Sequence, residues 1–373
     1  MVNDNNSYTQ SASGCKIYTD IKEEERCILI KPKKIKPGSR IAIISPSSGL
    51  PYLFSNIYEL GLKNLKKIFG FEIVEMPTAR MSPDELYKNP KLRADDINQA
   101  FADGSIDGII TSIGGYESVR ILKYLDIDII KKNPKFIVGF SDASTFLSYL
   151  NYLGMITFYG PSVMAGFAQL KHLPSQCIEH IKRILFTDHF PYNYTPYAKW
   201  TNGYKDWSNK DTLGECTEFF NNENGWTFLQ GNEITQGRLW GGCIEVLEFI
   251  KSTDYWPDKT FWNDKILFFE TSEEKPLPSQ VGYMLRNYGI QGILEKVKGV
   301  VFGRAKDYSV KEKEELNKII LSVIRDEFSV SDIPIIVDMD FGHTDPKLIL
   351  PLGCMVSLNP TTKDITLIEN PFN

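Results

Sequence analysis

Short apolar strands alternate with helical stretches along this chain from Ser39 onward. RIAIIS (40–45), FEIVEM (71–76), DGIITSI (107–113) and KFIVGF (135–140) predict strands, each followed by a segment of helical character, and MITFYG (155–160) predicts a fifth strand. Neighbouring parallel strands need a long crossover between them, which is usually a helix. The alternation therefore predicts an α/β fold built on a parallel sheet with helices on both faces.

A similar alternation resumes in the last third of the chain, where KILFFE (265–270), GVVFGR (299–304) and IPIIVDM (333–339) predict strands. Between about 186 and 230 the periodicity is lost, and aromatic residues, Asn and Gly dominate. A long non-periodic segment inside a compact protein is usually a lid or an interdomain connection. We therefore predict an N-terminal extension (1–35), an N-terminal domain (36–185), an aromatic-rich linker or lid (186–230) and a C-terminal domain (231–373).

Composition excludes several classes of protein. The net charge is −5 and the basic residues are not gathered into a stripe, which argues against nucleic acid as a partner. No apolar stretch reaches the roughly 20 residues needed to span a bilayer, and the first 28 residues lack the apolar core of a signal peptide. The six cysteines form no CxxC pair, so neither a zinc knuckle nor a disulfide framework is indicated. A cytoplasmic protein without a membrane partner is expected.

The segment SIGGYES (112–118) offers a candidate nucleophile. A buried strand ends at Ile113, two glycines follow, and a helix is predicted to begin near Ser118. Paired glycines let the backbone turn sharply, and a helix N-terminus presents free N–H groups to a developing oxyanion. Ser118 is therefore a candidate nucleophile on a strand–turn–helix elbow, although the GxSxG motif is absent. Taken alone, the segment fits a helix-capping serine at least as well.

A histidine and a glutamate are candidate partners for that serine. Among the four histidines, His343 follows a buried strand in the turn FGHTDPK (341–347), where an imidazole can act as a general base. Glu270 ends the apolar run ILFFE and would orient the imidazole. A turn histidine bonded to backbone and a solvated acid at a strand end remain alternatives. Glu273 and Glu274 follow in a predicted loop and are interpreted as surface charges.

An ordered series of motifs runs from about residue 35 to the C-terminus: IAIISPSSG (41–49), SIGGYESVRILKYLD (112–126), NPKFIVGFSDAS (133–144), TFYGP (157–161), GRLWGGCIEVL (237–247), ILFFETSEEKP (266–276), GVVFGR (299–304) and FGHTDPKLILPLG (341–353). Together they resemble the LD-carboxypeptidase family, including its microcin C immunity branch. The resemblance implies an N-terminal flavodoxin-like parallel-sheet domain and a smaller C-terminal α/β domain, with the active site between them.

The resemblance also implies which residues act. It makes the chain a serine carboxypeptidase-type amide hydrolase with a triad of Ser118, His343 and Glu270, and it implies no metal and no cofactor. The oxyanion donors fall on the backbone amides of Gly115 and Glu117. Candidate substrate contacts lie in three of the motifs and in the aromatic segment: Gly114, Tyr159, Trp207 and Trp240.

Two substrate classes fit the resemblance. One is a peptidyl or aminoacyl nucleotide of the microcin C type, and the other is a wall-derived muropeptide that loses its terminal D-alanine. The aromatic segment with Trp200, Trp207 and Trp226 favours the nucleotide conjugate, because an aromatic ring can stack on a base. Hydrophobic packing of a long crossover is the other interpretation of these tryptophans.

Two other functions are alternatives to the hydrolase. A non-catalytic protein on the same fold could bind peptides or nucleotides, but the complete set of serine, glutamate and histidine argues against it. An α/β-hydrolase esterase shares the residue order but would carry GxSxG. The resemblance further implies a homodimer.

Overall fold

Within residues 29–373, which the computed structural model describes, the strands form three sheets. The first sheet contains Arg40–Ile44 (β1), Glu72–Glu75 (β2), Gly108–Thr111 (β3), Phe136–Gly139 (β4), Thr157–Tyr159 (β5) and Leu350–Leu352 (β14). The second contains Tyr192–Tyr194 (β6), Thr227–Gln230 (β9), Thr235–Cys243 (β10), Lys265–Glu270 (β11), Gly299–Gly303 (β12), Ile335–Met339 (β13), Met355–Asn359 (β15) and Asp364–Leu367 (β16). Lys199–Thr201 (β7) pairs with Phe219–Asn221 (β8).

The helices mostly follow strands, as the alternation predicts. The α-helices are Leu50–Leu53 (α1), Ser55–Phe69 (α2), Pro83–Lys88 (α3), Pro90–Ala102 (α4), Ile127–Lys132 (α5), Ser144–Tyr152 (α6), Ser175–Phe186 (α7), Ile244–Leu247 (α8), Pro278–Ile290 (α9) and Val310–Leu321 (α10). Single 3-10 turns or short 3-10 helices cover Pro77–Arg80, Ser118–Tyr124, Ser141–Ala143 and Lys210–Thr212, and a π-helical turn covers Ser322–Glu327.

The first sheet has the strand order β14-β5-β4-β3-β1-β2. Strands β1 to β5 run parallel, whereas β14 arrives from the C-terminal part of the chain and pairs antiparallel with β5. Every residue of β3 and β4 is buried, as expected where helices cover both faces of a parallel sheet. The order of β1 to β5 is the flavodoxin-like one, in which ligands bind at the carboxyl ends of the strands.

The second sheet has the order β6-β16-β15-β10-β11-β12-β13-β9. Its centre, β10 to β13, is parallel, and antiparallel strands complete both edges. The predicted fold class is confirmed, because the chain is a mixed α/β protein with a parallel sheet and a second domain.

The two sheets are connected where α6 packs against β10. Ser148 Oγ donates a hydrogen bond to Gly241 O at 2.8 Å, and Cys243 N donates to Ser144 Oγ at 2.9 Å. A Cβ atom at Gly242 would lie 2.5 Å from Ser144 Oγ, so a side chain there would push the helix away. The start of α6 is thereby fixed against the second sheet.

Two predicted elements differ from the structure. The sequence predicts a helix over 241–251 after a Gly-Gly turn, but β10 continues through both glycines and α8 is only one turn long. Glycine is a poor strand residue and suggested a turn, whereas here it allows the close approach of α6. The helix predicted to begin near Ser118 is a 3-10 helix rather than an α-helix.

The aromatic-rich segment predicted as a linker or lid is built into the second sheet. Strand β6 pairs with β16 at one edge, and β9 pairs with β13 at the other. Trp226 is buried, and its Nε1 donates to Asp340 Oδ2 at 2.8 Å. Packing therefore explains this tryptophan, while the domain boundaries themselves stay predictions.

The predicted N-terminal extension lies mostly outside the described residues, and its described part contacts the first domain. Ile30 N donates to Gly154 O at 2.8 Å, and Ile35 is fully buried. Ile35 is therefore part of the core, and Ile30 packs against the core while partly buried. No helix in the described part of the chain, 29–373, is long and apolar enough to cross a membrane.

The contact between α6 and β10 gives a test of the fold. A Cβ atom at Gly242 would lie 2.5 Å from Ser144 Oγ in α6, so we expect Gly242→Ala to lower the free energy of unfolding by about 1–3 kcal/mol. Urea denaturation measures the change. Gly104→Ala is the control, because a Cβ atom there meets nothing within 4 Å. Equal stability of the two variants would contradict this account of the interface.

Candidate active site

A cavity of about 620 Å³ opens at the carboxyl ends of strands from both sheets. Loops that follow β1, β3 and β4 form one side, and loops that follow β11, β12 and β13 form the other. The linker closes it with Tyr204–Trp207. The lining residues are Ser48, Leu50, Phe54, Ile113, Gly114, Gly115, Tyr116, Phe140, Ala165, Tyr204, Lys205, Asp206, Trp207, Glu273, Lys306 and His343.

The side chains of His343 and Glu270 are in contact. His343 Nδ1 lies 2.7 Å from Glu270 Oε2, and both residues are buried. Glu270 is at the end of β11, and His343 follows β13, so two parallel strands on either side of β12 deliver both groups to one edge of the second sheet. Gly342 has a φ of 94°, and a Cβ atom there would lie 2.5 Å from Glu270 Oε2. Glycine at this position therefore gives the imidazole access to the carboxylate.

Tyr159 supports the same carboxylate instead of contacting a substrate. Its hydroxyl donates to Glu270 Oε1 at 2.5 Å and accepts a hydrogen bond from Ser141 N at 3.0 Å. The side chain is only 1% exposed and does not line the cavity. Burial and the adjacent Glu270 raise the pKa of Tyr159 well above its usual value, so the phenol stays a donor. The prediction of Tyr159 as a substrate contact is wrong.

The serine at His343 is Ser141. Its Oγ lies 3.1 Å from His343 Nε2, on the side of the ring opposite Glu270. Ser141 follows β4, precedes α6 and has a φ of 60°, a left-handed backbone conformation that is costly for a residue other than glycine. This is the strand–turn–helix geometry in which a strained turn exposes a serine hydroxyl.

Ser118 is placed elsewhere, and the sequence prediction is corrected here. Its hydroxyl lies 2.5 Å from both Asp142 O and Thr145 Oγ1, and the residue is 0% exposed. The side chain therefore supports the segment that carries Ser141, and it has no surface with which to meet a substrate. The hydroxyl in contact with His343 belongs to a serine 23 positions further along the chain.

Asp142 fixes the glycine-rich turn beside Ser141. Its Oδ2 accepts hydrogen bonds from Glu117 N at 2.9 Å, from Ser118 N at 2.8 Å and from the hydroxyl of Ser47. Burial raises the pKa of Asp142, and these donors oppose that rise. The amide of Glu117 is thus already bonded, which contradicts its prediction as an oxyanion donor.

Gly114 and Gly115 both line the cavity next to Ser141. A Cβ atom at Gly114 would lie 3.1 Å from Ser141 Oγ and 3.5 Å from Asp142 N. The glycine turn therefore passes directly beside the serine hydroxyl and the first amides of the Ser141–Ala143 turn. Gly114 therefore lies beside Ser141, and its contact with a substrate stays a prediction.

Glu273 is a site residue that the sequence interpretation assigned to the surface. Its Oε2 lies 2.7 Å from His343 Nε2, the same nitrogen that faces Ser141. Burial raises the pKa of Glu273, but the hydrogen bond and charge of His343 outweigh it and lower the pKa to about 2. Its side chain is 50% exposed, and the residue lines the cavity.

An aromatic wall faces these groups across the cavity. Trp207 packs between Phe54, at 5.8 Å between ring centroids, and Tyr204, at 5.9 Å. Tyr204 Oη donates to Asp345 Oδ2 at 2.5 Å and accepts from Lys347 Nζ at 2.9 Å, which ties the linker to the segment after His343. Trp207 therefore lines the cavity, and its contact with a substrate stays a prediction.

Trp240 does not reach the cavity. It is 0% exposed, its Nε1 donates to Ser148 O at 3.3 Å, and its ring packs edge-on against Trp262 at 4.8 Å. The prediction of Trp240 as a substrate contact is wrong, because the motif in which it lies forms the interface with α6.

A signal for Ser141 was present in the sequence. The segment GFSDA (139–143) follows a predicted buried strand and precedes a predicted helix, and it differs from GxSxG only by alanine at the last position. In the structure a Cβ atom at Gly139 would lie 3.0 Å from Ala143 Cβ, so the two small residues face each other across the turn. Allowing alanine at that position would have identified the elbow.

Two domain models of one family match this chain. The LD-carboxypeptidase N-terminal domain matches residues 41–160, and the LD-carboxypeptidase C-terminal domain matches residues 236–358, which together cover more than half of the chain. The chain belongs to the LD-carboxypeptidase family. It is a serine-peptidase-like hydrolase, as its motifs indicated.

Relatives in this family carry two kinds of name. A putative carboxypeptidase of Vibrio cholerae is 27% identical over 87% of this chain and 93% of its own length. The microcin C7 self-immunity protein MccF of Escherichia coli is 26% identical over 89% of this chain and 94% of its own. Both comparisons extend across the two domains and the linker.

Solved structures agree with the fold. An MccF-like protein from Streptococcus pneumoniae, solved in complex with AMP, has a TM-score of 0.80 and 29% identity, and the match covers 89% of this chain and 99% of that protein. MccF in complex with aspartyl sulfamoyl adenosine has a TM-score of 0.80 at 24% identity, over 92% of this chain and all of that protein. The second likeness shows the fold alone.

The two carboxylates around His343 predict an unusual titration. Burial lowers the pKa of His343, but Glu270 and Glu273 outweigh burial and raise the pKa from 6.5 to about 9. We expect the His343 Cε1–H resonance to titrate near pH 9 in NMR spectra, and Glu270→Gln to move the midpoint lower by removing one carboxylate. Because the folded-state pKa is raised, the stability contributed by this ion pair is full below pH 6.5 and is lost as the pH rises through 9.

His180 provides an internal reference for that titration. Burial lowers its pKa to about 3, so its resonance should not shift between pH 5 and pH 10. A His343 midpoint at or below 6.5 in the unmodified protein would contradict the ion-pair account of the site.

Proposed function

We propose that this protein hydrolyses amide bonds with Ser141 as nucleophile, His343 as general base and Glu270 as the group that orients the imidazole. The observation that carries the proposal is the continuous contact from Ser141 Oγ to His343 Nε2, at 3.1 Å, and from His343 Nδ1 to Glu270, at 2.7 Å. This arrangement of a serine, a histidine and a buried carboxylate is the one that activates a serine hydroxyl in unrelated hydrolases.

The proposed reaction follows from those contacts. Neutral His343 accepts the Ser141 proton at Nε2 while Ser141 Oγ bonds to the carbonyl carbon, which gives a tetrahedral oxyanion. The oxyanion collapses as His343 passes the proton to the leaving nitrogen, and the C–N bond breaks. Water, deprotonated by the same nitrogen, then hydrolyses the acyl-enzyme and restores Ser141. Glu270 stabilises the imidazolium through its contact with Nδ1.

Backbone amides beside Ser141 supply the proposed oxyanion site. The turn Ser141–Ala143 leads into α6, so the Asp142 amide stands at the N-terminal end of a helix. The glycine turn passes next to this amide, because a Cβ atom at Gly114 would lie 3.5 Å from Asp142 N. We therefore propose the amides of Asp142 and Gly115 as the two donors, with Asp142 replacing Glu117. Loss of one such donor typically costs about 10²–10³ in rate.

The proposed substrate is an aminoacyl or peptidyl nucleotide. Trp207, Phe54 and Tyr204 form an aromatic wall on which a base can stack, and Lys205 and Lys306 line the same cavity, where they suit a phosphate or a sulfamate. The relatives named MccF and the AMP complex of the MccF-like protein support this choice. A muropeptide that loses terminal D-alanine is the other candidate, and the assays below include it.

Alanine substitution of each serine in turn tests whether Ser141 or Ser118 is the nucleophile. We expect Ser141→Ala to lower kcat for aspartyl sulfamoyl adenosine by at least about 10³-fold, because the nucleophile is lost. Ser118→Ala is the matched control, since it removes a buried hydroxyl that bonds Asp142 O and Thr145. It should keep kcat within about tenfold and cost roughly 1 kcal/mol of stability.

The same assay decides whether the proposal fails. Full turnover by Ser141→Ala would remove Ser141 as nucleophile, and an inactive but folded Ser118→Ala would restore the original candidate. Turnover of a wall tetrapeptide alone would move the substrate to the muropeptide class while leaving the triad in place.

Trp207 tests the substrate class. Removal of its ring by Trp207→Ala should raise KM for the nucleotide conjugate by about 10- to 100-fold, the usual worth of a stacked base, and leave KM for a wall tetrapeptide nearly unchanged. Trp200→Ala is the control, because Trp200 packs on Phe220 at 4.8 Å and does not line the cavity. An equal effect of both substitutions on KM would count against stacking at Trp207. The homodimer and the cytoplasmic location stay predictions.

A further inference from the structure

Glu273 contacts Nε2 of His343, the nitrogen that must be unprotonated if His343 is to act as a general base. Glu273 Oε2 lies 2.7 Å from Nε2, and Ser141 Oγ lies 3.1 Å from the same nitrogen. With a carboxylate at that distance Nε2 carries a proton, since two acceptors would otherwise face each other. A protonated Nε2 has no lone pair with which to accept the proton of Ser141.

The charges around the His343 ring stabilise the form in which Nε2 is protonated. Glu270 contacts Nδ1 and Glu273 contacts Nε2, and together they hold the pKa of His343 at about 9 despite burial, so the ring is an imidazolium at neutral pH. Lys306 lies near Glu273 and lowers the pKa of that carboxyl. Lys347 and Asp345, on the segment after His343, pair with each other.

The two carboxylates differ in access. The Glu270 side chain is 0% exposed, whereas the Glu273 side chain is 50% exposed and faces the cavity. The backbone beside Glu273 is held in place, because Ser272 N and Oγ donate to Glu245 Oε1 at 2.9 and 2.7 Å. A ligand in the cavity can therefore reach the Glu273 carboxylate without moving the loop.

We propose that Glu273 is a specificity residue that selects substrates with an ammonium group next to the scissile carbonyl. When the ammonium pairs with Glu273, the carboxylate leaves Nε2, the Nε2 proton passes to solvent, and His343 becomes the neutral base that Ser141 needs. The inference rests on the proposed hydrolytic function and deepens it.

The geometry fits an aminoacyl group. Glu273 Oε2 and Ser141 Oγ contact one nitrogen at 2.7 and 3.1 Å, so they lie within about 6 Å of each other. The α-ammonium of an aminoacyl group is bonded to the carbon next to the carbonyl, and with that carbonyl at Ser141 it falls within reach of Glu273. A substrate without the ammonium leaves Glu273 on His343.

The test compares two substrates that differ only in this group: aspartyl sulfamoyl adenosine, and succinyl sulfamoyl adenosine, which lacks the α-amino group. We expect the unmodified enzyme to favour the aspartyl compound in kcat/KM by about 10- to 100-fold, the worth of a charge-assisted hydrogen bond. Glu273→Gln should reduce that ratio to within about threefold of one. It should also raise kcat/KM for the succinyl compound at pH 7, because one carboxylate that keeps His343 protonated is gone.

The pH profile provides a readout that a structural role would not move. For the succinyl compound, the acid limb of kcat/KM should shift to lower pH in Glu273→Gln, since the pKa of His343 falls. Glu274→Gln is the matched control: the neighbouring acid bonds Tyr116 Oη at 2.6 Å and is not in contact with His343. Glu274→Gln should leave unchanged both the ratio of kcat/KM between the two substrates and the position of the acid limb.

Two results would overturn the inference: an unchanged substrate ratio in Glu273→Gln, including an equal loss on both substrates, or the same change of the ratio in Glu274→Gln. Calorimetry on Ser141→Ala, with and without Glu273→Gln, supplies a measurement that needs no turnover. The aspartyl compound should bind Ser141→Ala more tightly than the succinyl compound, and the difference should disappear in the double variant. Failure of the hydrolysis itself would instead show as no turnover of either compound by the unmodified enzyme.

Discussion

The site depends on the direct packing of α6 against β10. Ser141 stands at the start of α6 in the first domain, whereas Glu270 and His343 are carried by the second sheet, so no single domain holds the three groups. The hydrogen bonds of Ser144 and Ser148 with β10 fix the helix, and the absence of a side chain at Gly242 lets the helix come close. A helix held further away would leave the serine out of reach of the imidazole, because a hydrogen bond tolerates only a few tenths of an ångström.

Carboxylates then determine what the imidazole can do. Glu270 is buried and does not line the cavity, so a ligand there does not reach its contact with Nδ1, and Tyr159 occupies its second oxygen. Glu273 is half-exposed and faces the cavity, so its contact with Nε2 can be exchanged for one with a ligand. One carboxylate, Glu270, thus orients the ring through Nδ1. The other, Glu273, competes with Ser141 for Nε2. Burial is the physical difference between the two roles.

Much of the fold was predictable from local pattern. The strands from β1 to β5 and from β11 to β13 follow from apolar runs, and the family followed from the order of the motifs. Glu270 and His343 were found because each ends or follows a buried strand, and parallel strands bring such positions to one edge. Ser118 was predicted because two glycines and a following helix resemble an elbow, whereas Ser141 was not considered, since GFSDA (139–143) carries alanine where the GxSxG motif has glycine. Glu273 was assigned to the surface because its partner is 70 positions away in the sequence.

The sequence by itself determined the class of fold, the family and two of the three groups proposed for the reaction, since periodicity and strand ends are local properties of the chain. Only the tertiary structure decided which serine faces His343, because Ser118 and Ser141 lie in adjacent turns and differ in the direction of their hydroxyls. One points into the packing around Asp142 and Thr145, and the other points at the imidazole. That direction is set by the left-handed turn at Ser141 and by the contact between the two domains, neither of which is encoded by residue type at a single position.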